Sequence, residues 1–166
     1  MGKKEKVLKG KSLWSELEGK KDEIKETVEV EIADVKGEVT VVFRDLDVIR
    51  EVEEEYEAKK PDKPILDDLN GLPPIEIPND NPKYEKFNNH PKAKEWEEKV
   101  KPINNEKIYR LAYEFIADEE KPSEDADEGT KILQDRLKMM DAVNIMNKGM
   151  EISGFGNRLG KQSDNS

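Results

Sequence analysis

Thr27-Val28-Glu29-Val30-Glu31-Ile32, followed after a short interval by Val39-Thr40-Val41-Val42-Phe43, is the stretch that decides the fold. In the first segment apolar and polar side chains alternate. That period of two places Val28, Val30 and Ile32 on one face of a strand. The second segment is rich in β-branched residues, which suit a pleated, half-buried surface. Between them lies Lys36-Gly37, and glycine supplies the positive φ that hairpin turns need. The pattern predicts a β-hairpin with its turn at Lys36-Gly37. Two strands alone are marginal in water, so a helix is expected over the apolar face. One follows at once: Asp45 or Asp47 is placed to cap it, and Ile49, Val52 and Tyr56 recur at spacings of three and four. Glu51, Glu53, Glu54 and Glu55 form its solvated side.

Upstream, residues 1–26 read as a flexible charged arm, dominated by Lys and Glu, in which Leu13, Trp14 and Leu17 are an isolated apolar cluster. Ser12 is placed to cap a short helix there and Gly19 to stop it. Trp14 has two readings. It docks the arm on the body, which is favoured, or it anchors a partner, since Trp is enriched at interface hot spots. Downstream, seven prolines between Pro61 and Pro91 break regular structure, and Asn70-Gly71 marks a turn. Residues 60–91 are too long for an ordinary connection, and their aliphatic residues suggest that part of the segment lies across the body.

The second half reads as helical. Residues 92–100 form a short helix bearing Trp96 and Val100, ended before Pro102. A stronger helix over 105–117 carries Ile108, Leu111, Ala112, Phe115 and Ile116 on one stripe. Residues 118–129 read as an acidic linker. One long helix is expected from Thr130 to about Met150, ended by Ser153-Gly154-Phe155-Gly156, with 157–166 a disordered tail. No internal repeat is visible. The fold class is therefore α+β: a single domain over 27–156 in which the hairpin packs on a mainly α-helical body, with a long Pro-rich irregular segment and disordered termini.

Composition fits a thin core. Apolar residues are 34% of the 166, and the ten glycines raise this only to about 40%, below the usual roughly 45–50%. Charged residues reach 41%, against about a quarter in an average domain. The formal charge of −10 argues against nucleic acid or an anionic membrane as partner, because phosphate neutralisation needs clustered Lys and Arg. Residues 1–26 hold eight basic and six acidic side chains, so the acidity belongs to the body. An acidic body keeps a protein soluble and is able to screen a basic partner. With no cysteine there is no disulfide framework and no thiolate chemistry. The charged start lacks the apolar run of a signal peptide, no stretch approaches a membrane span, and Lys6 stands where myristoylation needs Ser or Thr. A cytoplasmic location is expected.

No catalytic, cofactor or metal site emerges. His90 is the sole histidine, in the turn-like Asn89-His90-Pro91, where exposure is expected. Gly154-Phe155-Gly156 follows a helix instead of joining a strand to a helix, so it lacks the setting for cradling a phosphate. Asp125, Asp127 and Gly129 fail as a calcium loop, with the glycine one place early and Arg136 where the bidentate Glu belongs. Asp67-Asp68 and Glu119-Glu120 are adjacent and point apart instead of converging. Met139, Met140, Met146 and Met150 crowd one helix. They are core filling, or else an adaptable apolar surface for a partner.

The hairpin 28–41 running into a helix near Asp45-Leu46-Asp47 resembles the opening of tail assembly chaperones of long-tailed bacteriophages. The ending Asp141-Ala142-Val143-Asn144-Ile145-Met146 … Glu151-Ile152-Ser153-Gly154-Phe155-Gly156 is similar to their closing helix and short Ser-Gly-apolar signature. These stretches cover about a third of the chain. The Pro-rich segment and the basic arm depart from the group's pattern. The resemblance implies a non-enzymatic chaperone that keeps the phage tape measure protein soluble and brings tail tube protein to it, in the host cytoplasm. Partner contact is expected at Trp14, Trp96, Leu137, Met140 and Met146. Alternatives are a structural phage component, such as a connector or minor tail protein, and an acidic regulatory adaptor.

Overall fold

The computed structural model describes residue 7, residues 9–64 and residues 90–155. Most of the Pro-rich stretch and the expected C-terminal tail lie outside the described residues. Strand β1 (Lys25–Ile32) pairs antiparallel with β2 (Val35–Val42), in the register Val28↔Val39 and Val30↔Gly37. The α+β class holds, with the hairpin against a helical body.

The turn is not where the glycine suggests. Ile32 pairs directly with Val35, and Ala33 (φ 50°) and Asp34 (φ 66°) form a two-residue turn with both centres left-handed. Lys36 and Gly37 lie inside β2. A turn at Lys36-Gly37 would instead place Ala33 and Asp34 inside a strand, where Asp is disfavoured, whereas Asp tolerates the left-handed region.

Helix α1 (Lys11–Lys20) orders much of the stretch expected to be a flexible arm, yet it buries no side chain. Gly19 does not stop it; a short 3-10 turn, Lys21–Glu23, carries the chain on into β1. Helix α2 (Leu46–Lys59) buries Ile49, Val52 and Tyr56, the stripe expected of it. Asp45 stands at its N-cap but makes no capping bond, and its carboxylate pairs instead with Lys21 at 2.9 Å.

The expected pair of helices around Pro102 is one continuous helix, α3 (Pro91–Phe115). Proline removes one i→i−4 hydrogen bond and costs about 3 kcal/mol inside a helix. Packing on both sides of it offsets this: Val100 is buried and Ile103 packs against the core. His90, expected to be exposed, is half-buried and caps the helix through Nδ1, which accepts the Lys92 N–H at 3.1 Å, with Pro91 at the first helical position. Beyond Phe115, Ile116 bridges to Val41 and the Ala117 N–H donates to the Thr40 carbonyl at 3.0 Å, extending the hairpin's edge by one short contact.

The expected long helix from Thr130 is also two. Helix α4 (Ala126–Arg136) starts inside the presumed acidic linker because Asp125 caps it, accepting the Glu128 N–H at 2.9 Å. Leu137 is extended (φ −101°, ψ 134°), and α5 (Met139–Ile152) begins after Lys138. The Leu137 carbonyl accepts the Tyr109 hydroxyl at 2.7 Å, a buried bond that holds the corner. Helix α5 ends in a Schellman cap: Gly154 is left-handed (φ 84°), and its N–H and that of Phe155 donate to the Glu151 and Met150 carbonyls. The Ser-Gly-Phe sequence is thus a helix stop, with Phe155 folded back on the core.

One core joins these elements. Val41, Ile49, Leu111, Phe115 and Ile145 are almost wholly buried. Two glycines admit the closest approaches: the Phe115 ring occupies the space of a side chain at Gly149, and the Tyr113 ring does so at Gly129.

Candidate functional site

The residues expected to meet a partner do not form one surface. Leu137 belongs to the core, 5% exposed at the corner between α4 and α5, and is corrected to a structural residue. Met146 packs against the same core, partly buried. Trp96 is half-buried on α3; its indole N–H donates to the Pro61 carbonyl at 2.8 Å, and Lys63 sits 5.4 Å from the ring centre. These contacts tie the start of the Pro-rich segment to α3. Two of the five stand free. Trp14 on α1 is 64% exposed, so the expectation that it docks an arm on the body is overturned, and Met140 at the start of α5 is 68% exposed.

The sequence reading missed a second apolar group, at the tip of the hairpin. By register Val30, Ile32, Val35 and Gly37 share the face of β1 and β2 that carries Val28 and Val41. Nearer the base this face is covered by the body, but Ile32 and Val35 project beyond it and are exposed. Gly37 faces Val30 with no side chain, and nothing lies within 4 Å of where one would be. The result is an open notch of about 460 Å³ in which Val30 and Gly37 take part. Glu29, Glu31, Glu38 and Asp141 surround it, with Lys36 as the single cation in its lining. Asp141 reaches across from α5 and accepts the Glu31 N–H at 3.1 Å, which brings neighbouring Met140 to the same end of the molecule. The strand pattern showed Ile32 on the apolar face; only the length of hairpin left uncovered by helices exposes it.

At the opposite end of the hairpin a knot of ions fixes the joints. The Arg44 guanidinium donates to the Glu114 carbonyl (2.7 Å), the Ile116 carbonyl (3.2 Å) and the Asp118 carboxylate (2.8 Å), and its backbone N–H donates to Ser153 Oγ. Lys121 and then Arg44 hold the Asp118 carboxyl below its usual range. Lys21 bridges Asp45 and Glu18, which raises its pKa and pins α1 to the base of the hairpin. This arrangement is structural: its donors are consumed by backbone and carboxylate partners within the chain.

Among the described residues no group of three or more His, Asp or Glu is placed to hold a metal ion, and no helix is long and apolar enough to cross a membrane. In comparisons with protein families, curated proteins and solved structures, the chain matches none.

Proposed function

We propose that this chain is a non-enzymatic binding protein of the tail assembly chaperone type, which holds a phage tape measure protein soluble in the host cytoplasm and presents it to tail tube protein. The observation that carries the reading is the exposure of large apolar side chains, Trp14 and Met140 with Ile32 and Val35, on a body of strongly acidic composition. Such side chains are suited to capture apolar helical segments, and the charge keeps the complex dissolved. The hairpin leading into a helix, and the capped closing helix, are in keeping with the resemblance in the sequence.

The test begins with the gene neighbourhood. A tail tube gene upstream and a very long, helix-rich gene downstream are expected, and co-expression with the product of the latter should keep it in the soluble fraction as a complex. A neighbourhood without tail genes, or a downstream product equally soluble alone, overturns the proposal. The acidic-adaptor reading, favoured by the −10 charge alone, predicts binding that collapses with salt. Binding through apolar side chains persists.

A further inference from the structure

The two outer edges of the hairpin differ at its tip. On β1 the outward Glu31 N–H is taken by the Asp141 carboxylate at 3.1 Å. On β2 the base is closed, since Thr40 donates its N–H to Glu120 Oε1 at 2.9 Å and its carbonyl accepts the Ala117 N–H at 3.0 Å. Between that closure and the turn, from Val35 to Val39, the outer edge of β2 meets no further strand among the described residues. The two-residue turn fixes which groups point outward. Ile32 and Val35 exchange hydrogen bonds across such a turn, so Val35, Gly37 and Val39 bond to β1, whereas the N–H and C=O of Lys36 and Glu38 face away. The outward bonds of Thr40 have the same phase. Val35 is 69% exposed, and Lys36, Gly37 and Glu38 are exposed with it.

From this geometry we infer that the chain forms a two-fold dimer in which the β2 edges of two copies pair antiparallel, centred on Gly37. That register uses the whole free run. It sets Lys36 of each copy opposite Glu38 of the other as hydrogen-bonded pairs, and Gly37 opposite Gly37 on the axis. The charges are self-complementary. Within one chain Glu38 faces Glu29 across the strands, a like-charge pair that destabilises, while Lys36 faces Glu31. Pairing brings a lysine to the open side of each Glu38. The neighbouring registers of the same bonding phase would set Lys36 against Lys36 or Glu38 against Glu38. On the other face Val35 of one copy meets Val39 of the second, so the apolar row Val28, Val39 continues through Val35 and Ile32 of the second hairpin. So short an edge buries little area, and the dimer is accordingly weak and reversible. This contact is independent of the proposed phage role, because its test contains no second protein.

Sedimentation equilibrium of the purified chain tests it. The wild type should gain average mass with concentration and level off at that of a dimer. Lys36→Glu and Glu38→Lys alter exposed side chains and should leave helical circular dichroism unchanged. Each alone sets like charges opposite one another at both pairs and should weaken association about tenfold or more. An equimolar mixture of the two should associate again, since every acidic position of the first then meets a lysine of the second. The register has its own probe. Gly37→Cys introduces the sole thiol of the chain at a site with open space for it, and residues paired without hydrogen bonds stand about 4.5 Å apart at Cα, within disulfide reach. It should oxidise to a linked dimer well ahead of Glu51→Cys, an exposed site on α2. A wild type that stays monomeric at all concentrations, a charge-reversed variant that associates as the wild type does, a mixture that remains monomeric, or a Gly37→Cys chain that links no faster than Glu51→Cys overturns the inference.

Discussion

At the scale of single residues, two glycines and three tyrosines set the tolerance of the core. A methyl group at Gly149 would run into the Phe115 ring, and one at Gly129 into the Tyr113 ring, both ring faces fixed by packing. Alanine is otherwise the better helix former by about 1 kcal/mol, so helix propensity predicts stabilisation at both sites. Overpacking costs about 1–3 kcal/mol and reverses the sign. Urea unfolding of Gly149→Ala and Gly129→Ala should therefore show lower midpoints than the wild type, and a higher midpoint would mean that the rings yield. Tyr56, Tyr109 and Tyr113 all have pKa values raised, first by burial. The unfolded chain releases these protons near pH 10 while the native state holds them, so the native state binds more protons above that point. The stability these residues contribute is complete below pH 10 and is lost as pH rises beyond it. Phenolate absorbance should consequently appear together with loss of helical circular dichroism, and Tyr56→Phe should shift that alkaline transition upward.

Elements differ in how plainly the sequence announces them, and the differences have physical causes. The hairpin strands and the α2 stripe Ile49, Val52, Tyr56 are legible because one face of each is buried and the other wet, so periodicity survives in the sequence. The turn is not at Lys36-Gly37 because Gly37 sits inside β2 with open space beside it, while Ala33 and Asp34 adopt the left-handed turn that glycine and asparagine usually fill. Each left-handed non-glycine residue costs about 1–2 kcal/mol. Ala33→Asn together with Asp34→Gly should raise the unfolding free energy by about 1 kcal/mol, offset in part by the added chain entropy of glycine. A loss of stability would mean that the native turn is held by contacts of Ala33 or Asp34 themselves. Pro102 and the corner at Leu137 were illegible for a common reason: local signals there are overruled by tertiary packing, through Val100 and Ile103 in one case and the Tyr109 hydroxyl in the other. The joint at Arg44 is equally hidden, since nothing in the sequence links it to carbonyls some seventy residues away. Arg44→Lys keeps the charge but cannot fork to three acceptors. It should lose about 1–3 kcal/mol in thermal or urea unfolding, nearly as much as Arg44→Ala.

For the whole molecule, the question is which apolar residues hold the body together and which are free to meet another protein. The methionines at 140 and 146 appear equivalent in sequence, both on a crowded helical stripe, and only the fold separates them. Met140 is largely exposed, whereas Met146 is packed against the core. The free surface was half legible: Trp14 and Met140 were singled out as candidates, but the sequence carried no sign that Leu137 is internal or that Ile32 and Val35 outrun the helices covering their strands. Met140→Glu should leave the urea midpoint within about 0.5 kcal/mol of the wild type, as surface substitutions do. Met146→Glu places a carboxylate in a largely apolar setting and should cost about 1–3 kcal/mol. If the proposed chaperone role is correct, Met140→Glu should also lower the yield of soluble tape measure protein on co-expression at unchanged helical content. A Met140→Glu variant that folds and rescues as well as the wild type would remove α5 from the binding surface. The proposed capture would then rest on Trp14 and the hairpin tip alone.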